Sequence, residues 1–592
     1  MLPDRQGGFR TSTGKRSAVA GRLGWWCREG FRRNPDVGSR VERLLAGAAW
    51  SAVCVGLLLR GWQFAAQASL WVDEAALARN VLDRSGGELL GPLSYGQVAP
   101  PGFLLLTKAA SLWLGASEPA LRILPFAAAL CSVPLFLLLA RRLLRPAAAS
   151  VATALFALAV PLIFWGSNLK PYSSDVCAAI AMLLMLDRLL RRTVSARDIA
   201  AATLGAAMLL ALSQAVIFVL VASGALLAAD ALWVRREDLA PRLAIVLLWA
   251  ALCGGAVAHG SMTMTAADRA YMLRFWQGNF WPRGPAAFAW LGSSFERFFS
   301  PGTLGIFDGS LHWPAPRVFV LLFTAATLAM LAERPRQAAM LAGPFAVALL
   351  AAMLHRFPFG ARVGLFLIPL LLLLLAGGCD AIARRLLPRG WSPMLLVLLL
   401  APAIFALWRQ PPPWRPEHLR PAVDYLAERW RDGDSLWVYY GAGQAFEYYR
   451  RFHPALAGDA GVQVGDCHRD DAWEYFRQLE ELRGTKRLWV LIAHDFSGPV
   501  PSERRLLRNW LDDHAVLLER WRAGEAQPSR GSVDLRLYDL SREAAARTRQ
   551  RDEEPVERPL LAWTCYGTLS PLRTRPETLA ALGVRARKQS GQ

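Results

Sequence analysis

Two adjacent carboxylates, Asp73 and Glu74, follow the first long apolar segment of the chain in the sequence LWVDEAALARN. A carboxylate at a membrane surface can take the proton from an attacking hydroxyl group, so the pair is a candidate for general-base chemistry. A second interpretation is that the pair is solvated and caps a short helix that begins near Glu74, since acidic residues stabilise helix N-termini.

Two further stretches carry groups that can bind a phosphate. In KPYSSD, Lys170 offers an ammonium group and Asp175 a carboxylate at a predicted helix start, although Pro, Ser and Asp are also ordinary residues there. In HRFPFGAR, His355 and Arg362 lie close together at the end of an apolar segment. Arg362 lies at the predicted outer end of a span, although the arginines of this chain otherwise cluster at the inner ends. An anionic partner would explain this departure, and a snorkelling arginine explains it equally well.

These residues lie between apolar segments long enough to cross a bilayer. The chain has 592 residues and 54% of them are hydrophobic, which is too apolar for a string of soluble domains. A span needs about 20 mostly apolar residues. On this basis we predict a polytopic α-helical membrane protein with about 11 transmembrane helices. The predicted spans are 44–66, 119–140, 147–167, 172–190, 199–213, 214–234, 242–262, 316–332, 337–354, 361–380 and 391–408.

Arginine positions predict the orientation of these spans. With a cytoplasmic N-terminus, every tight arginine cluster falls on the inner side, as the positive-inside rule requires. The segment 101–115 is then an interfacial helix, because counting it as a span would reverse all the clusters. This orientation places Asp73, Glu74, Lys170 and the aromatic loop 263–315 on the outer face of the cytoplasmic (inner) membrane.

The two ends of the chain have a different composition. Residues 1–42 are predicted to be a disordered basic cytoplasmic tail, and residues 43–410 the transmembrane domain. A Pro-rich linker then leads into 411–592, where three short apolar strands alternate with helices. The predicted strands are DSLWVYYG, KRLWVLIAHD and SVDLRLYDLS, and residues 501–521, between the last two, are predicted to be a helix. This predicts an extracytoplasmic, periplasmic α/β domain with a loosely ordered C-terminal tail. If it is extracytoplasmic, a disulfide between Cys467 and Cys565 is a further hypothesis.

Taken together, WVDEA, APPGF, KPYSSD, the aromatic outer loop and FPFGAR form an ordered set on one predicted membrane face. The set resembles bacterial polytopic glycosyltransferases of the GT-C class, of family 39 or similar to dolichyl-phosphate-mannose–protein mannosyltransferases. The resemblance covers about residues 44–410. It implies a GT-C-like fold and transfer, with inversion, of a sugar from a polyprenyl-phosphate-linked donor to an acceptor hydroxyl on the outer face.

The resemblance also implies roles for particular residues. The acidic pair of the family's first outer loop falls on Asp73 and Glu74, with Asp73 as the general base. Position and charge, rather than the family pattern, assign donor and lipid-phosphate binding to the polar residues of the two other motifs, namely Lys170, Tyr172, Asp175, His355 and Arg362. A divalent metal stays open, since some relatives use one and others do not. The expected partners are the donor, membrane lipids and a lipid, glycan or protein acceptor.

Other functions make different predictions. The net charge of +20 would favour nucleic acid in a soluble protein, but here the arginines cluster at span ends, so no nucleic-acid partner is expected. A lipid or glycan transporter or flippase predicts ionisable residues near the bilayer midplane and repeated broken helices, and neither pattern is evident in the sequence. A non-catalytic scaffold of cell-envelope glycan assembly is the remaining alternative.

Overall fold

The computed structural model describes the chain from Gly38 onward, with gaps. The described ranges are 38–300, 315–388, 392–415, 417–458, 460–468, 471–495, 503–521, 533–541, 561–563 and 569–571. The predicted N-terminal tail lies almost entirely outside them, as does Cys565.

Helices make up the whole of the described chain's regular structure as far as Arg409. They are α1 Gly38–Ala65, α2 Val72–Asp83, α3 Pro101–Leu114, α4 Glu118–Leu143, α5 Pro146–Leu158, α6 Val160–Phe164, α7 Tyr172–Arg191, α8 Ala196–Leu212, α9 Val216–Trp233, α10 Leu239–Met262, α11 Ala266–Phe275, α12 Ala286–Phe299, α13 Ala315–Glu333, α14 Pro335–Met353, α15 Ile368–Leu386, α16 Ser392–Leu398 and α17 Ala401–Arg409.

The predicted polytopic helical architecture is confirmed. Within the described ranges, seven helices are long and apolar enough to cross a membrane, and an eighth if one bent pair is a single span. The seven correspond to α1, α4, α9, α10, α13, α14 and α15. The four other predicted spans are also helical: α5 with α6, the charged helix α7, the 17-residue helix α8, and the short pair α16 and α17.

The bent pair explains one buried arginine. Helices α5 and α6 meet at an angle of 55°. At such a break, carbonyl groups lose their helical partners and need other donors. The Arg60 guanidinium of α1 supplies them, donating to the carbonyl oxygens of Ala157 at 3.1 Å and Phe156 at 3.3 Å. Arg60 is therefore a buried brace of the helix break.

The arginine clusters that set the predicted orientation meet at one end of the helical bundle. Arg142 of α4 pairs with Asp187 of α7 at 3.3 Å, and Arg336 of α14 pairs with Asp230 of α9 at 2.9 Å. Similar contacts join α13 and α15 through Arg384. One end of the bundle is thus held by arginine–carboxylate pairs, and the segments that carry the candidate site lie at the other end.

At that other end, the segments that connect the predicted spans contain short helices. Segment 101–115 forms α3, a 14-residue helix that is too short to span a bilayer, in agreement with its predicted interfacial position. The aromatic segment 263–315 is largely helical as far as it is described, since it forms α11 and α12 and residues 301–314 are outside the described ranges. The segment between the predicted spans 242–262 and 316–332 therefore contains two short helices as far as it is described.

Beyond Arg409 the chain forms a sheet flanked by helices. The helices are α18 Leu419–Arg429, α19 Tyr440–Arg450, α20 Ala472–Glu480 and α21 Glu503–His514. The strands are β1 Ser435–Val438, β2 Val462–Val464, β3 Leu488–Ile492, β4 Val516–Arg520 and β5 Asp534–Asp539, with the separate pair β6 Leu561–Trp563 and β7 Leu569–Pro571.

The five-stranded sheet has the order β2-β1-β3-β5-β4. Strands β1, β2 and β3 are parallel, and β5 is antiparallel to both β3 and β4. The sequence predicted β1, β3 and β5, but it assigned residues 501–521 entirely to a helix. The helix ends at His514, and Val516–Arg520 pairs with β5 as a strand because the edge of the sheet is available to it.

The C-terminal region packs on the same end of the bundle as α2. The Tyr449 hydroxyl of α19 accepts a hydrogen bond from the Leu70 N–H at 2.6 Å and donates to Glu118 at 2.9 Å. Arg420 also reaches Glu118, at 2.8 Å. Buried apolar residues of α2, α3, α18 and α19 form one continuous cluster. The sheet is thereby held close to the helix that carries the two carboxylates.

Candidate active site

Asp73 lies in the first turn of α2 and forms an ion pair with Arg362. The Arg362 Nη2 and Asp73 Oδ2 atoms are 2.6 Å apart. Both side chains stay partly accessible, with 23% of Asp73 and 19% of Arg362 exposed. The contact joins residues 289 positions apart in the sequence, at the bundle end opposite the arginine clusters. It therefore brings a candidate base and a candidate phosphate ligand into one partly open place.

Three aromatic residues hold the Arg362 guanidinium. Its central carbon lies 5.5 Å from the centre of the Trp71 ring and 5.6 Å from that of Trp276. The Tyr172 hydroxyl also interacts with it. Aromatic faces attract cations most strongly where water is partly excluded. Arg362 is therefore held, next to Asp73, by aromatic residues from three separate segments of the chain.

Lys170 is the second cation of the site. It follows the α5–α6 pair, is 7% exposed, and its Nζ donates to the Gln97 side-chain oxygen at 2.5 Å. Gln97 comes from a turn in which Tyr95 and Gly96 both have positive φ, of 64° and 61°. Burial lowers the pKa of Lys170 to about 8, although Asp73 opposes this by favouring the ammonium form.

The charges around Asp73 determine its protonation state. Burial alone would raise its pKa, but Arg362, Lys170 and His494 outweigh burial and hold the pKa below its ordinary value of 3.8. Asp73 is accordingly a carboxylate at neutral pH. Its Oδ2 atom makes the close ion pair but no hydrogen bond of good geometry with a described residue.

Glu74, the neighbouring carboxylate, has a different environment. It is fully buried and accepts two hydrogen bonds from Arg122 of α4, at 2.8 and 2.6 Å. The Leu169 N–H donates a third, at 2.5 Å. Arg122 also donates to the carbonyls of Ala68 and Ser69. The interpretation of Glu74 as part of a solvated pair is therefore wrong: it joins α2, α4 and the loop that carries Lys170.

Two predicted site residues lie away from this group. Asp175 of α7 accepts a hydrogen bond from the Ser213 hydroxyl at 2.6 Å, and Ser213 Oγ in turn accepts the Val216 N–H at 3.0 Å, so these contacts tie α7 to the start of α9. His355 is exposed and stacks on Phe280 with ring centres 5.3 Å apart. The structure describes no contact between either residue and Asp73. Of the seven predicted residues, it brings together Asp73, Lys170, Tyr172 and Arg362, while the seventh, Glu74, follows Asp73 in α2 and binds Arg122.

Sequence reasoning missed two residues that organise the site. Trp71 donates its indole N–H to Asn168 at 3.1 Å, and its ring contacts both Arg362 and His494. Arg122 holds Glu74. Arg122 carried a usable signal, because it begins a span whose other arginines lie at the opposite end, which is the argument that singled out Arg362. Trp71 carried none, since aromatic residues are common at membrane interfaces.

The described residues do not form a metal-binding set. Within the described ranges, no group of three or more His, Cys, Asp or Glu side chains could hold a metal ion. The carboxylates of Asp73 and Glu74 are engaged by Arg362 and Arg122.

Comparison with known proteins gives weak structural similarities. No family model and no curated protein sequence matches the chain. Among solved structures, the chain is similar to the oligosaccharyltransferase of Archaeoglobus fulgidus in complex with Zn and sulfate, at 13% identity and a TM-score of 0.45, covering 79% of this chain and 71% of that one. ArnT from Cupriavidus metallidurans bound to undecaprenyl phosphate has 13% identity, a TM-score of 0.42, and coverage of 86% and 100%. TM-scores below 0.5 do not establish a common fold.

Proposed function

We propose that the chain is a glycosyltransferase of the GT-C class that uses a polyprenyl-phosphate-linked sugar as donor. The acceptor hydroxyl oxygen attacks the anomeric carbon of the sugar, and the bond from that carbon to the phosphate oxygen breaks. The lipid phosphate leaves with the bonding electrons, and the hydroxyl proton passes to Asp73. A single displacement of this kind inverts the anomeric configuration.

One observation carries the proposal: a carboxylate and two cations converge at one end of the bundle. The leaving phosphate gains negative charge in the transition state, so fixed cations at its position stabilise that state more than the ground state. Arg362 and Lys170 supply these cations. Asp73 supplies an ionised base within reach of solvent, with 23% of its side chain exposed.

The distribution of charge supports a site on the outer leaflet of the cytoplasmic membrane. The arginine–carboxylate pairs occupy the opposite end of the bundle, and arginine clusters favour the cytoplasmic side. Cys467 in the C-terminal region is disulfide-bonded, whereas the described cysteines of the helical region are free. Disulfides are typical of oxidising compartments, which supports a periplasmic C-terminal region.

The proposed division of labour follows from this arrangement. The helical domain, about residues 43–410, binds the lipid-linked donor at headgroup height. The C-terminal domain, 411–592, faces the aqueous side from which a glycan, lipid or protein acceptor arrives. Its packing on α2 through Tyr449 and Arg420 supports a role close to the acceptor rather than as a remote appendage.

The test is transfer by purified, reconstituted protein offered a panel of polyprenyl-phosphate hexoses with membrane lipid and glycan acceptors. We expect Asp73→Asn to lower the transfer rate by about a hundredfold or more, the lower range of general-base effects. The matched control is Asp83→Asn on the same helix, since half of the Asp83 side chain is exposed at the protein surface. Both variants keep side-chain size.

Two results would contradict the proposal. Transfer by Asp73→Asn at the wild-type rate would show that Asp73 is not the general base. Failure of wild-type protein and the Asp83→Asn control to transfer any sugar of the panel, while both still bind farnesyl phosphate, would leave a lipid-phosphate protein that is not this enzyme.

A further inference from the structure

The loop that joins α2 to α3, residues 84–100, reaches the candidate site with its tip. Asn80 of α2 anchors the loop at Ser94: the Asn80 side-chain oxygen accepts the Ser94 N–H at 2.9 Å, and its amide group donates to the Ser94 carbonyl oxygen at 3.2 Å. Asn80 is 2% exposed, so this anchor is buried. At its other end the loop runs into α3, which begins at Pro101. Residues 95–99 therefore form a tip between two fixed points.

The tip has a turn conformation that neighbouring side chains hold. Tyr95 and Gly96 both have positive φ, which a non-glycine residue such as Tyr95 seldom adopts. The Tyr95 ring lies against the Arg79 guanidinium of α2, with 4.8 Å between the ring centre and the central carbon. A Cβ atom built on Gly96 would lie 3.7 Å from the ring of Tyr271 in α11. The turn is therefore packed between α2 and the aromatic segment, and Gln97 follows it directly.

Gln97 contacts the buried cation of the donor site. Its side-chain oxygen accepts a hydrogen bond from Lys170 Nζ at 2.5 Å, and Lys170 is 7% exposed. A buried ammonium group without an acceptor is costly, so even a neutral amide oxygen stabilises it. A phosphate oxygen is anionic and forms a stronger, charge-assisted hydrogen bond with the same group. The Gln97 amide is therefore a partner of Lys170 that a phosphate can replace.

The segment that carries Lys170 is fixed against the first turn of α2. The Leu169 N–H donates to Glu74 at 2.5 Å, and the residue before Leu169 accepts the Trp71 indole N–H at 3.1 Å. These two hydrogen bonds hold the backbone next to Lys170 in place. Gln97, in contrast, belongs to a loop tip. If the contact between the two side chains opens, Gln97 is the residue that moves.

We infer that the α2–α3 loop is a latch on the donor site: Gln97 holds Lys170 while the donor is absent, and the donor phosphate displaces Gln97 when it binds. The inference rests on the proposed function, which makes Lys170 a phosphate ligand. The buried ammonium then has an acceptor in both states. Because the amide competes with the donor for Lys170, the closed loop lowers the apparent affinity for the donor.

The test measures binding of farnesyl phosphate to the full-length protein by calorimetry at pH 7, without turnover. Gln97→Leu keeps the size of the side chain and removes the amide oxygen. Gln97→Ala also removes it and adds no apolar surface for the farnesyl chain. Gln97→Glu supplies a charged acceptor that stays paired with Lys170. The matched control is Gln277→Leu, which changes an exposed glutamine of the aromatic segment, and Lys170→Met reports whether the probe engages the ammonium group.

We expect Gln97→Leu and Gln97→Ala to bind farnesyl phosphate about tenfold more tightly than wild type, the factor that corresponds to one hydrogen bond to a charged group. Gln97→Glu should bind it about tenfold more weakly or worse, because its carboxylate holds Lys170 by a charge-assisted bond. Lys170→Met should lose most of the affinity, and Gln277→Leu should match wild type. A tip that only supports the fold would weaken binding in every Gln97 variant.

Three results would overturn the inference: affinity that is unchanged or weaker in both Gln97→Leu and Gln97→Ala, wild-type affinity in Lys170→Met, or no binding by wild type and Gln97→Leu alike. If Gln97→Leu and Gln97→Ala bind more tightly but wild-type protein transfers no sugar, the proposed function fails while the latch stands. If wild-type protein transfers sugar and neither variant binds more tightly, the latch alone fails. The two failures are therefore distinguishable.

Discussion

Replacing Glu74 with Gln tests whether this carboxylate stabilises the fold or takes part in the reaction. In the wild-type protein this buried carboxylate accepts hydrogen bonds from Arg122 Nε, Arg122 Nη2 and the Leu169 N–H. Glutamine has nearly the same shape, but its amide oxygen is neutral and its NH2 group faces a guanidinium that can only donate. The substitution therefore leaves Arg122 charged, buried and short of an acceptor.

The structure gives the size of the effect. Arg122 is 4% exposed, and its acceptors other than Glu74 among the described residues are the carbonyl oxygens of Ala68 and Ser69. Removing one partner of a buried ion pair typically costs about 3–5 kcal/mol. We therefore expect Glu74→Gln to lower the free energy of unfolding by about this amount. The assay is thermal unfolding of detergent-solubilised protein at a fixed scan rate, because large membrane proteins often unfold irreversibly.

A nearby glutamate provides the control. Glu88 is exposed and its carboxylate contacts Ser85, so Glu88→Gln should change stability by less than about 1 kcal/mol. The structural role also predicts that folded Glu74→Gln retains measurable transfer below its unfolding temperature. The reasoning is refuted if Glu74→Gln unfolds at the same temperature as Glu88→Gln and yet transfers no sugar, since Glu74 would then take part in the chemistry itself.

The remaining predictions concern the donor site. The pKa of the Lys170 ammonium is about 8, so affinity for farnesyl phosphate should weaken as pH rises through 8. Lys170→Arg should abolish that decline, because arginine stays charged over this range. Calorimetric titrations of wild type and variant from pH 7 to 9.5 check both expectations. A pH-independent affinity in the wild-type protein would show that Lys170 does not bind the phosphate. Ser213→Ala removes the hydroxyl that links Asp175 to the Val216 N–H, so it should lower stability by about 1–3 kcal/mol and leave farnesyl phosphate affinity unchanged. A large loss of affinity would instead show that Asp175 takes part in donor binding.

The helical part of the fold could be predicted because its signals are local. Apolar length and flanking arginines identify a span without reference to the rest of the chain, and a helix or broken helix lies at each of the eleven predicted segments. The strands of the C-terminal sheet were harder to predict from the sequence. Val516–Arg520 follows a helical sequence without a clear break, and it becomes a strand only because β5 offers it an edge. No local signal in the sequence specifies that pairing.

The candidate site was predicted to the extent that charge alone identifies it. Arg362 stood out as an arginine at the wrong end of a span, and it does pair with Asp73. The same criterion applies to Arg122 and Arg60, which were overlooked, and both are buried braces rather than ligands. An arginine out of place therefore indicates an acceptor nearby, but only the tertiary contacts show whether that acceptor is a backbone carbonyl, a structural carboxylate or the base.

The Asp73–Arg362 ion pair has a consequence for the order of events under the proposed function. Arg362 both neutralises the base and faces the place where a donor phosphate would bind. A phosphate that competes for this guanidinium weakens its hold on Asp73, so donor binding frees the carboxylate to accept a proton. An acceptor hydroxyl that arrives first meets a base still paired with Arg362. The same contact therefore favours donor binding before acceptor binding.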